Sequence, residues 1–117
     1  EQVPNADGAK AFEQKALSEV GLLDSQIPPR YSTSYFNHVW GGGYAAGYYS
    51  YLWTEVLADN VAATFKERGA LKLSTGTDFR NKVLSRGNTL PLMQIFTDFT
   101  GLKEPRTEDL LKARGLE

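Results

Sequence analysis

The sequence predicts an all-α fold, because apolar residues recur at helical spacing along most of the chain. Two further observations support this prediction. No alternating apolar and polar run of strand length lies between turns, and glycines such as Gly21, Gly69 and Gly101 follow the periodic stretches. The 117 residues show no internal repeat and no shift in composition, so we expect one helical segment, 1–117.

The first predicted helix covers residues 9–20 and ends at Gly21, since its apolar positions lie three or four residues apart. The helical pattern then breaks at Pro28 and Pro29, which exclude helix and favour an extended connection. The segment 1–30 is therefore predicted to be a helix followed by an extended linker.

The longest periodic stretch predicts a helix over 45–68, with Lys66 and Arg68 near its end and Gly69 after it. One face of this helix is apolar and is expected to point toward the core. Its members are Ala45, Tyr49, Leu52, Val56 and Ala63.

Shorter helices are predicted over 76–117. The first covers 79–84, the second covers 92–100 behind Pro91, and the third follows Thr107 with acidic residues in its first turn and stops at Gly115.

Composition excludes several classes of function. A formal net charge of −1 gives no electrostatic attraction toward nucleic acid or an anionic membrane, so neither is expected as a partner. The absence of cysteine removes disulfides, thiolate catalysis and cysteine-based metal sites, and no apolar run has the length of a membrane helix. The chain opens with Glu1 rather than methionine, so we expect a processed product or a part of something longer.

The most unusual feature is an aromatic segment at 31–53, which contains all six tyrosines, both tryptophans and the single histidine. Buried phenols need hydrogen-bond partners and glycines cost backbone entropy, so such a segment suits a ligand site better than a core. On a helix, Tyr44, Tyr48, Tyr51 and Glu55 would form one narrow stripe. This stripe would be either a polar seam between helices or the wall of a cleft, and spacing alone leaves both open.

His38 is followed closely by Gly41, Gly42 and Gly43. A lone histidine is more often a structural hydrogen-bonding group, and three glycines can be a plain flexible turn. Together with the tyrosines, however, they would suit hydrogen-bond donors aimed at an oxygen that acquires negative charge. One histidine without an HExxH motif gives no self-contained zinc site.

Further segments accompany the aromatic one in a fixed order. They are Tyr-Phe-Asn-His-Val-Trp-Gly-Gly-Gly-Tyr-Ala-Ala-Gly-Tyr-Tyr-Ser-Tyr-Leu-Trp at 35–53, Phe79-Arg80, Leu84-Ser85-Arg86-Gly87-Asn88 and Arg114-Gly115-Leu116. With these motifs nearly the whole chain resembles the C-terminal end of the thimet oligopeptidase family of zinc metallopeptidases. Within that family it most resembles the bacterial peptidyl-dipeptidases, also called dipeptidyl carboxypeptidases.

The resemblance implies a C-terminal segment of a larger, two-lobed helical metallopeptidase. It implies catalytic roles for His38, Tyr44 and Tyr51, which match family positions that contact the substrate carbonyl and stabilise the oxyanion. It also implies substrate contacts by Gly41, Gly42, Gly43 and Tyr48. The family's zinc-binding HExxH and downstream glutamate have no match here, so no metal ligand is assigned to this chain and zinc is expected only in the parent enzyme.

These observations predict the oxyanion-stabilising part of a zinc peptidyl-dipeptidase that releases C-terminal dipeptides from oligopeptides. The expected partners are the oligopeptide substrate and the missing N-terminal catalytic portion, without which this chain should be inactive. The cytoplasm is the expected compartment, with the periplasm as the alternative. The competing hypothesis is a small non-catalytic helical module that binds peptides or self-associates through its aromatic surface.

Overall fold

The structure, a computed structural model, describes residues 8–117, and within this range all regular secondary structure is helical. This confirms the predicted all-α fold. The elements are α1 (Ala9–Glu19), a 3₁₀ turn (Thr33–Tyr35), α2 (Asn37–Trp40), α3 (Ser50–Arg68), α4 (Leu73–Phe79), a π-helical turn (Arg80–Leu84), α5 (Leu92–Thr100) and α6 (Thr107–Ala113). No helix in this range combines the length and apolar character needed to cross a bilayer.

The described chain divides into two compact units, one ending at Tyr48 and the other comprising residues 49–117. In the first unit, α1 ends at Glu19 with Val20 as its C-cap, and Gly21 adopts a left-handed conformation with φ of 71°. A glycine takes this conformation without steric cost, so the predicted stop at Gly21 is correct. The predicted segment 1–30 begins with residues 1–7, which lie outside the described range.

The predicted helix 45–68 begins at Ser50, five residues later than expected, and ends at Arg68 as expected. Local backbone geometry explains the difference. Ala45 has φ of 41°, outside the helical region, and the Gly47 N–H donates to the Tyr44 carbonyl at 2.5 Å, closing a tight turn. The helix can begin only after this turn.

The late start of α3 overturns the predicted tyrosine stripe, because Tyr44 and Tyr48 precede the helix and only Tyr51 and Glu55 lie on it. The predicted core face is also wrong in part. Val56 is buried, whereas Tyr49 and Leu52 are exposed. The buried residues of α3 are Val56, Asn60 and Thr64, spaced four residues apart on one side of the helix.

In the second unit α3 packs against both α5 and α6. Phe99 of α5 is fully buried and its ring lies 5.4 Å from Phe65 of α3 and 5.0 Å from Phe79 of α4, between ring centroids. Phe65 and Phe79 are themselves 5.2 Å apart. These three rings form the aromatic core that joins α3, α4 and α5.

The predictions for 76–117 are correct for two of three helices. α5 runs from Leu92 to Thr100, with Gly101 left-handed at φ of 78°, and α6 begins at Thr107. The remaining helix differs, because α4 begins at Leu73 and passes directly into the π-helical turn Arg80–Leu84. Residues 74–78 are polar or glycine, so this part of the helix has no apolar periodicity from which its start could be predicted.

Candidate functional site

The imidazole of His38 lies among four aromatic rings of the first unit. Its ring centroid is 5.3 Å from Tyr48, 5.4 Å from Tyr31, 5.5 Å from Tyr44 and 5.9 Å from Phe36. Tyr44, Tyr48 and Phe36 meet the imidazole at steep angles, an arrangement that favours ring pairs. We refer to these five residues as the His38 cluster.

The His38 cluster is partly buried and partly open. All of its members are half-buried except Tyr44, which is 36% exposed. Neither nitrogen of His38 hydrogen-bonds to another residue within 8–117. The ring packing therefore fixes the imidazole plane while leaving both nitrogens available to a ligand.

The structure thus brings together three of the residues singled out in the sequence: His38, Tyr44 and Tyr48. They meet through the short helix α2 and the turn after it, since α2 carries His38 and the turn carries both tyrosines. Sequence reasoning missed Tyr31 and Phe36 as members of the site. Their position inside the aromatic segment 31–53 was the available signal.

The glycine turn between His38 and Tyr44 folds back on α2. The N–H groups of Gly41 and Gly42 both donate to the Asn37 carbonyl, at 2.7 and 2.8 Å, and the Tyr44 N–H donates to the His38 carbonyl at 3.1 Å. These bonds hold the backbone of Tyr44 against the residue that carries the imidazole.

Two of the three glycines are required by this geometry. A Cβ on Gly42 would lie 3.0 Å from both the Cα and the carbonyl oxygen of His38, which are backbone atoms that cannot rotate away. Gly43 has φ of 79°, a left-handed conformation that costs other residues energy. Open space surrounds the position of a Cβ on Gly43, so another chain can approach the backbone there.

A carboxylate from α1 anchors the segment that enters the site. Glu13 accepts hydrogen bonds from the N–H and Oγ1 of Thr33, each at 2.6 Å, and from the Ser32 hydroxyl at 3.2 Å. The Thr33 hydroxyl, and then its N–H, stabilise the carboxylate and hold the pKa of Glu13 below its usual value. Sequence reasoning did not find Glu13, because its partners are about twenty residues away.

Tyr51, the remaining predicted catalytic residue, lies in the second unit. It is the second residue of α3 and is half-exposed. One turn further along α3, Glu55 accepts a hydrogen bond at 2.6 Å from Arg114, just beyond α6.

Comparison with known proteins identifies the family. Residues 4–116 match the sequence profile described as peptidase family M3. The chain belongs to peptidase family M3. This confirms the resemblance drawn from the motifs, since M3 is the family of zinc metallopeptidases to which the resemblance pointed.

Several M3 relatives are similar over most of this chain. Dipeptidyl carboxypeptidase of Salmonella typhimurium is 46% identical over 106 residues, and its Escherichia coli counterpart is 47% identical over 105, covering 91% and 90% of this chain. Oligopeptidase A of Escherichia coli is 39% identical over 114 residues, or 94% of this chain. The matched part makes up only 15 or 16% of each relative, so the chain spans a small fraction of their length.

The M3 family implies zinc, and the described residues do not fit a zinc site by themselves. Within 8–117 no three histidine, cysteine, aspartate or glutamate side chains are grouped so that they could hold a metal ion. The chain's one histidine is instead surrounded by the rings of the His38 cluster.

Proposed function

We propose that this chain is the oxyanion-stabilising and substrate-contacting part of a longer zinc peptidase that releases C-terminal dipeptides from oligopeptides. The observation that carries the proposal is the His38 cluster, in which an imidazole with available nitrogens lies beside Tyr44 and the glycine turn. Two of the relatives are dipeptidyl carboxypeptidases by name, which supports the choice of reaction.

In this proposal His38, Tyr44 and Tyr51 are the catalytic residues. Attack on a peptide carbonyl converts its oxygen into an oxyanion, and an N–H or phenol O–H aimed at that oxygen stabilises the transition state more than the ground state. One such donor contributes about 3 kcal/mol in well-studied hydrolases. The ring packing supports this role for His38 and Tyr44, since it limits the reorganisation needed during the reaction.

Gly41, Gly42, Gly43 and Tyr48 are proposed to contact the substrate chain. The open space above the Gly43 backbone would admit an extended peptide, whose main-chain groups could hydrogen-bond with the turn. Tyr48 packs edge-on against Phe36, with ring centroids 4.6 Å apart, so its ring has a fixed plane against which a substrate can lie.

The zinc and the general base are proposed to come from the missing N-terminal portion of the same enzyme. This chain matches only a small share of each relative, which supports the assignment of zinc and the general base to another part of the enzyme. The cytoplasm is the proposed compartment, with the periplasm as the alternative.

An assay of the 117-residue chain tests this division. We expect no stoichiometric zinc and no peptide hydrolysis by the purified chain, and hydrolysis once the N-terminal portion is supplied. Turnover with bound zinc by the chain alone would contradict the proposal.

Substitutions in the complete peptidase test the catalytic roles. His38→Gln and Tyr44→Phe should each lower kcat by a factor of about 100 with little change in KM, because each removes a donor that acts mainly in the transition state. Met93→Leu, at a partly exposed position of α5, is the matched control and should have no such effect. A wild-type kcat in both donor variants would reject the oxyanion role.

A second candidate is favoured by exposed apolar side chains. Tyr49, directly before α3, and Trp53 on α3 are 73% and 50% exposed, and Leu71 and Leu73 are 102% and 85% exposed. Large exposed apolar surface usually marks a contact with another protein, so the chain would be a non-catalytic module that binds peptides or self-associates. The intact mass of the source polypeptide, together with sedimentation of this chain, distinguishes the two. One full-length species supports the enzyme, whereas a lone 13.0 kDa product in the cell supports the independent module.

A further inference from the structure

Three hydrogen-bonded contacts connect α1 to the helix that carries His38, and Thr33 lies at the centre of them. Its N–H and hydroxyl donate to the Glu13 carboxylate, both at 2.6 Å. Its carbonyl accepts a hydrogen bond from the indole Nε1 of Trp40, also at 2.6 Å. Trp40 is the last residue of α2, so the same residue holds α1 on one side and α2 on the other.

The contact between Thr33 and Trp40 closes a short loop that contains two members of the His38 cluster. Phe36 and His38 both lie between these two residues, and Phe36 stacks on Tyr31 with ring centroids 5.0 Å apart. Movement of Thr33 would therefore shift α2 and the ring that packs against the imidazole.

We propose that Glu13 is a positioning residue for His38, acting through Thr33 and Trp40. The inference rests on the function proposed for His38. Glu13 itself touches neither the imidazole nor any other member of the His38 cluster among the contacts of the described residues. It orients His38 by holding both donors of Thr33, which in turn fixes the carbonyl that receives the Trp40 indole.

The charge of Glu13 is central to this arrangement. A carboxylate accepts several hydrogen bonds at once and forms stronger ones than a neutral amide oxygen does. Glu13→Gln would keep the side-chain length. Its NH₂ group is itself a hydrogen-bond donor, however, and would compete for space with the Thr33 and Ser32 groups that donate to the carboxylate. The predicted result is a loosened 3₁₀ turn and a less well-oriented imidazole.

Kinetics of the complete peptidase provide the first test. Glu13→Gln should lower kcat about tenfold and leave KM within a factor of about two, since misorientation of a transition-state donor costs rate more than binding. The matched control is Glu19→Gln on the same helix, where the exposed carboxylate has Lys15, at 3.8 Å, as its one charged partner among residues 8–117. Equal kcat values for the two variants would overturn the proposal.

A double substitution tests the route through Trp40. Trp40→Phe removes the indole N–H, and the variant carrying both Glu13→Gln and Trp40→Phe should lose no more than the larger single loss, because both act on one chain of contacts. Losses in kcat that multiply would show that the two residues act independently and would overturn the route.

Hydrogen exchange of the Trp40 indole N–H, followed by NMR in the same proteins, needs no activity. Exchange should accelerate about tenfold in Glu13→Gln and stay unchanged in Glu19→Gln, since only the first loosens the Thr33 carbonyl. This separates the two proposals. A wild-type kcat for both His38→Gln and Tyr44→Phe would reject the proposed function even if the indole responds, whereas a strongly lowered kcat for His38→Gln with an unresponsive indole would reject only the role of Glu13.

Discussion

The side chain of Asn60 pairs with the backbone of Arg106 through two hydrogen bonds. Asn60 Nδ2 donates to the Arg106 carbonyl and its Oδ1 accepts from the Arg106 N–H, both at 2.8 Å. Nδ2 also donates to Asp109 at 2.8 Å. Because Asn60 is fully buried at 0% exposure, these bonds satisfy an amide that would otherwise be costly to bury. They hold the start of α6 against the middle of α3.

We predict that Asn60→Ala lowers the free energy of unfolding by about 2 to 4 kcal/mol, because a fully buried, packed side chain is removed and the Arg106 N–H and carbonyl lose their partner. Urea unfolding of the chain, followed by circular dichroism, measures this change. The control is Asn88→Ala at an exposed position, which should change stability by less than about 0.5 kcal/mol. Equal effects of the two substitutions would show that the pairing with Arg106 contributes little.

Phe99 gives a second prediction about stability. Its ring is fully buried between Phe65 and Phe79, so Phe99→Ala should cost about 3 to 5 kcal/mol through lost apolar contact and a cavity. Leu71→Ala, at a fully exposed leucine, should be close to neutral. A midpoint shift in urea no larger for Phe99→Ala than for Leu71→Ala would contradict the aromatic core.

Two glycines should respond to alanine in opposite directions. Gly76 lies inside α4 with nothing within 4 Å of an added Cβ, so Gly76→Ala should stabilise the chain by about 0.5 to 1 kcal/mol. Gly43 also has open space, but its φ of 79° makes Gly43→Ala destabilising by about 1 to 2 kcal/mol. Thermal unfolding measures both. A stabilising Gly43→Ala would show that the turn does not need the left-handed conformation.

The lowered pKa of Glu13 predicts a pH dependence at Thr33 and Trp40. The folded carboxyl has a pKa below its ordinary 4.5, mainly because the Thr33 hydroxyl donates to it, so its contribution to stability is complete above 4.5 and is lost as the pH falls through the folded pKa. Exchange of the Trp40 indole N–H, corrected for its intrinsic pH dependence, should rise over that interval. In Glu13→Gln this rise should be absent, and its persistence there would assign it to another group.

The ends of several helices follow from local sequence. Gly21 and Gly101 adopt the left-handed conformation that suits a residue after a helix, and Pro91 directly precedes α5. These signals depend on residues within one turn of the helix end, so they can be read without the fold. The match to known motifs likewise needed only the sequence.

The incorrect predictions from sequence share a cause. Helical periodicity competes with other contacts, both local and distant. The spacing of Tyr44, Tyr48 and Tyr51 suits a helix, yet Ala45 adopts φ of 41° and the Tyr44 carbonyl bonds to Gly47. The resulting turn places Tyr44 and Tyr48 against His38. Aromatic packing and the turn together outweigh the helical pattern there.

The sequence by itself determined the all-α class, the positions of α1, α5 and α6, the family and the segment that contains the candidate site. Only the tertiary structure decided that Tyr31 and Phe36 enclose His38, that Glu13 holds Thr33, and that Asn60 holds Arg106. Helix caps and motifs are local, whereas these contacts join residues up to 46 positions apart. Periodicity carries no information about such pairings, since they depend on how the connecting turns direct the chain.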